Sequence, residues 1–76
     1  MIPEHSRVVL TQDIAGEALQ KGDVGTIVHI YEQGVAYEVE FFNLNGDTVA
    51  VATVEADQLR PVSSSDVTHA RSLVTA

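Results

Sequence analysis

Seventy-six residues carry eleven carboxylates against four lysines and arginines, a net charge of −7, with no cysteine. A chain this short holds one domain with a modest core, and without cysteine neither a disulfide framework nor a thiolate zinc site can form. The four cations, Arg7, Lys21, Arg60 and Arg71, are dispersed, whereas a nucleic-acid binder needs clustered Lys and Arg to neutralise phosphates, so DNA and RNA are not expected partners.

The acidity also disfavours anionic membrane surfaces and favours a basic protein partner. The apolar runs are too short to span a bilayer. The start Met-Ile-Pro-Glu-His-Ser-Arg lacks the charged lead and apolar stretch of a signal peptide. A cytoplasmic location is expected.

The first strand is read at Arg7-Val8-Val9-Leu10, ended by Thr11-Gln12-Asp13. A long connection follows, in which Ile14 and Leu19 are placed to fold back and cap the barrel; Gly16 weakens any helix there. Lys21-Gly22-Asp23-Val24-Gly25 reads as a turn, its two glycines assigned to positive-φ positions.

Strands are expected at residues 24–31 and 36–42, joined by Glu32-Gln33-Gly34-Val35. With that loop, Tyr31 faces Ala36, Ile30 faces Tyr37, His29 faces Glu38 and Val28 faces Val39. Apolar meets apolar and polar meets polar. Val28, Ile30, Tyr37, Val39 and Phe41 then point inward, and His29, Tyr31, Glu38 and Glu40 outward.

The reversal Asn43-Leu44-Asn45-Gly46-Asp47 allows two registers. A two-residue Asn-Gly hairpin turns Ala50 and Ala52 toward Phe41. A type I turn from Asn43, with Gly46 in the left-handed bulge position, turns Val49 and Val51 inward instead. Asn first and Gly fourth favour the bulged turn, which places Val49 and Val51 in the core. The next strand covers residues 48–54, and Glu55-Ala56-Asp57-Gln58 reads as a single helical turn. The last strand, Leu59-Arg60-Pro61-Val62, sits at an edge, because proline cannot donate a ladder hydrogen bond. Five short strands, a long first loop and a helical turn before the last strand describe an all-β, SH3-like barrel over residues 1–62.

Ser63-Ser64-Ser65 then reads as a flexible linker, and residues 63–76 as a flexible or weakly helical tail. Ser65 would cap the helix, with Val67, Ala70 and Val74 on one face.

Lys21-Gly22-Asp23-Val24-Gly25-Thr26-Ile27-Val28, Tyr37-Glu38-Val39-Glu40-Phe41 and Asp57-Gln58-Leu59-Arg60-Pro61 together resemble domain of unknown function 4926, a family of short bacterial proteins. The resemblance covers about Val8 to Val62. It implies a stand-alone SH3-like small barrel and supplies no catalytic residues to transfer. Members encoded beside small toxin-like or uncharacterised proteins suggest an antitoxin or accessory role.

Glu38 and Glu40 are spaced about 6–7 Å apart on one strand, a separation at which paired carboxylates serve glycoside hydrolysis. It is equally the wet face of any half-buried strand, and so small a barrel has no deep cleft, so no catalytic residue is assigned. His5, His29 and His69 lie in separate segments without metal-ligand spacing, and no metal or cofactor is expected. Tyr31 offers an aromatic surface rimmed by carboxylates. Phe42 cannot share the core with Phe41, so it lies under a loop or meets a partner. The expected partner-binding set is therefore His29, Tyr31, Glu38, Glu40 and Phe42. The chain is read as a non-enzymatic protein-interaction module, in its sharpest form an antitoxin or immunity-type inhibitor of a basic protein, with self-association possible. The alternative is an accessory or assembly subunit packed on a larger enzyme.

Overall fold

The structure is a computed structural model and describes residues 1–73. β1 (Arg7–Leu10), β2 (Val24–Tyr31), β3 (Ala36–Phe42), β4 (Thr48–Glu55) and β5 (Leu59–Pro61) form one antiparallel sheet in the order β4-β3-β2-β1-β5. The expected strands, the long first loop and the single 3-10 turn over Ala56–Gln58 are all present. The sheet coils round its core, but its edges β4 and β5 are not paired, so the expected barrel remains open rather than closed. Pro61 lies on the edge strand β5, opposite Val8, where its missing N–H disrupts no central ladder.

Ile14 and Leu19 form an isolated bridge, and Leu19 is buried beneath the first loop. Gly22 has φ +95°, as expected of the turn. Gly25 does not share that role, because it lies inside β2 without a positive φ. It is required instead by the close approach of β3, whose Val39 Cγ1 would stand 2.6 Å from an added Cβ.

The register between β2 and β3 begins as expected, with Tyr31 opposite Ala36, Ile30 opposite Tyr37 and His29 opposite Glu38. Ile27, not Val28, then meets Val39. Val28 is the extra residue of a β-bulge and stands 38% exposed, whereas Ile27 is fully buried.

The β3–β4 turn is the bulged one. The Asn43 N–H donates to the Asp47 carbonyl, the Gly46 N–H to the Asn43 carbonyl, and Gly46 has φ +88°. Phe42 accordingly faces Thr48. One residue further, a second bulge at Val49 reverses the shift, so Phe41 faces Ala50, Val39 faces Ala52 and Tyr37 faces Val54. Val49 (39%) and Val51 (49%) are therefore exposed, while Ala52 and Val54 are buried. The expected core positions Val28, Val49 and Val51 are corrected to Ile27, Ala52 and Val54. The reason is topological, since each bulge adds one residue and changes which side chain faces inward, and Ala50 opposite Phe41 leaves room for its ring.

Tyr37, Val39 and Phe41 are buried as expected, together with Val8, Leu10 and Leu59, and Ile30 packs partly buried against them. Ile2 also packs on this core, and its N–H donates to the Tyr37 hydroxyl at 3.1 Å, which satisfies a phenol inside the barrel. Residues 63–73 contain no helix. Val67 is exposed, and Val74 of the expected helical face lies outside the described residues.

Candidate protein interface

β2, β3 and β4 form a meander joined by tight turns, and its outer face collects most of the expected binding residues. His29 and Tyr31 project from β2, Glu38 and Glu40 from β3. The His29 and Tyr31 rings meet edge to face, with centroids 4.6 Å apart and planes at 74°. The Tyr31 hydroxyl approaches Glu38 Oε1 at 3.4 Å, and Thr53 Oγ1 on β4 donates to the same oxygen at 2.7 Å. Glu40 Oε2 accepts from Thr48 Oγ1 at 2.6 Å. Each carboxylate is thus held in place by a hydroxyl from a neighbouring strand, not by a cation.

Thr53 and Thr48 were not legible as holders of these groups. Thr53 faces Glu38 only because the Val49 bulge adds a residue to β4. The same bulges place exposed valines, Val28 and Val51, beside this polar cluster.

The charge pattern sharpens the surface. No lysine or arginine occurs between Lys21 and Arg60, whereas Asp23, Glu32, Glu38, Glu40, Asp47, Glu55 and Asp57 all do. Two of the four cations are also engaged elsewhere. Arg60 forms a bidentate pair with Asp66 at 2.9 and 3.1 Å. That pair, followed by the Ser63 N–H, lowers the Asp66 carboxyl to about 2. Arg71 reaches Asp23 from the tail. Burial pushes the Asp23 carboxyl up, but hydrogen bonds from Arg71, the Gln20 N–H and His69 outweigh it, and the net shift is downward.

Phe42 does not join the His29–Tyr31 cluster. It lies at the opposite end of β3, 44% exposed, and lines a groove with Val24, Leu44 and Val49. His29, Tyr31, Glu38 and Glu40 thus come together, whereas Phe42, in the same alternation phase as Glu38 and Glu40, stands apart in the groove at the far end of the strand. Among the described residues, no group of three or more His, Cys, Asp or Glu is placed to hold a metal ion. No described helix is long and apolar enough to cross a membrane.

Residues 4–61 match the family described as domain of unknown function (DUF4926). The chain belongs to this family. No curated protein and no solved structure is significantly similar to it. The DUF4926 segment contains the whole meander and its acidic outer face, together with Asp23 and Phe42. It ends at β5, so Asp66, His69 and Arg71 lie beyond it.

Proposed function

We propose that this DUF4926 chain is a non-enzymatic docking module whose outer meander face receives a basic region of a protein partner in the cytoplasm. The observation that carries the reading is the pairing of Glu38 and Glu40 with strand hydroxyls beside the exposed Tyr31 and His29 rings. Carboxylates already held in position lose little freedom on binding, and an aromatic centre with a charged rim suits a protein contact. The absence of Lys and Arg from residues 22–59 makes the face attractive to cations over its whole width. Inhibition of a basic toxin-like protein is the sharpest form of this role.

The exposed Phe42 and Leu44 favour a second reading, in which the domain packs permanently on a larger enzyme as an accessory subunit. Calorimetry against the product of the neighbouring gene separates the two. On the docking reading, Tyr31→Ala weakens association by about 1–3 kcal/mol, and Glu38→Lys slows it and reduces its salt dependence. Unchanged binding by both variants, with loss on Phe42→Ala, would transfer the role to the second reading.

A further inference from the structure

The tail leaves the DUF4926 segment and then returns to it. Beyond β5, the Ser63 N–H donates to Asp66, which also grips Arg60, and the chain turns back toward the first loop. The His69 ring lies over Gly22, 3.4 Å from where a Cβ would stand. Two residues later the Arg71 guanidinium forks onto Asp23, Nε to Oδ1 and Nη2 to Oδ2, each at 2.8 Å. Nη2 also donates to the Ala18 carbonyl at 2.6 Å. The acceptors of Arg71, Asp23 and Ala18, belong to residues 4–61, and Arg71 itself lies outside them.

Two features make this more than a tail laid on a surface. First, the acceptor is organised by its own loop: Asp23 Oδ2 also receives the Gln20 N–H at 2.8 Å, and the Asp23 N–H donates to the Gln20 carbonyl. Second, the groove extends past the tail. Leu73 lines it with the other tail residues, yet Leu44 in its lining remains 98% exposed, and Phe42 and Val49 are also exposed.

We propose that this groove is a recognition site for an arginine-bearing extended segment of a protein partner, and that residues 69–73 occupy it in cis. The fork of two carboxylate oxygens plus one carbonyl matches a planar guanidinium, and a lysine ammonium cannot satisfy all three acceptors in the same plane. The tail leaves Leu44 uncovered, so a partner carrying an apolar residue beyond its arginine gains contacts the tail lacks. The tail raises the threshold for entry, since a short tether holds its own segment at an effective concentration on the order of millimolar. This site lies at the other end of β3 from the Tyr31 face and stands or falls independently of it.

The test uses the full chain and its Arg71→Ala variant, with a fluorescent peptide spanning residues 66–73 as the probe. Arg71→Ala releases the cis ligand, so this chain is expected to bind the peptide at least about tenfold more tightly than the parent does. A peptide with lysine in place of its arginine should bind about tenfold more weakly. Adding Asp23→Asn, which keeps an oxygen for the Gln20 N–H, should remove binding. If Arg71→Ala proves unfolded by circular dichroism, Arg71→Lys provides the same comparison. No binding to the opened chain, equal binding of arginine and lysine peptides, or binding that survives Asp23→Asn would each overturn the proposal.

Discussion

A methyl group at Gly25 would stand 2.6 Å from Val39 Cγ1 and 2.9 Å from both the Glu40 carbonyl oxygen and the Phe41 ring. The backbone oxygen cannot yield as a side chain does, so Gly25→Ala should destabilise the fold by about 1–3 kcal/mol in urea unfolding. Gly46 makes the opposite case. An added Cβ there meets nothing within 4 Å, but φ is +88°, so Gly46→Ala should cost about 1–2 kcal/mol through the backbone alone. In the sequence, Gly22 and Gly25 look alike, because spacing cannot distinguish a glycine needed for its φ from one needed for its missing side chain. The depressed carboxyls give a second residue-scale prediction. A folded-state pKa below the unfolded value near 3.9 contributes stability that is present above pH 4 and lost as pH falls through the folded pKa. For Asp66 that window runs from pH 4 down to about 2. The Ser63 amide signal, followed by NMR, should move within this window in the parent chain and lose the transition in Asp66→Asn.

At the scale of the strand, the two bulges on either side of β3 decide which valines are structural. Val54 opposes Tyr37 and is fully buried, so Val54→Ala should cost about 1.5–3 kcal/mol from lost burial and the cavity left behind. Val28→Thr and Val51→Thr, at exposed positions, should stay within about 0.5 kcal/mol of the parent. Equal losses at all three would contradict the register. The strand limits and the Tyr31–Ala36 pairing were legible because turn residues bracket them and period-two alternation is strict between residues 36 and 41. The bulges were not. Ile27 and Val28 are adjacent apolar residues, so either can face inward, and both phases of Val49-Ala50-Val51-Ala52 are apolar. The one available signal was further along, where Val54 shares a phase with the alanines while polar Thr53 shares one with Val49 and Val51. Likewise, the outward placement of Tyr31 and Glu38 was readable from alternation, but the Thr53 bond to Glu38 and the return of Arg71 to Asp23 depend on register and tail path. No local pattern encodes either.

Over the whole molecule, charge is the dominant feature. With Arg60 and Arg71 paired to carboxylates, Arg7 and Lys21 alone cannot build a phosphate track, and no retained gel shift with DNA or RNA is expected at about 150 mM salt. On the outer face of the meander Glu38 and Glu40 stand beside aromatic rings, hydroxyls and exposed valines, and on the docking reading this face receives a cationic protein. Amide NMR shifts of the labelled full chain, recorded as the neighbouring gene product is added, test that claim most directly. The outer-face reading predicts the largest changes at His29, Tyr31, Glu38, Glu40 and Thr53, weakening as salt rises. Changes confined to residues 14–23 and 42–49, or none at saturating partner, would contradict it.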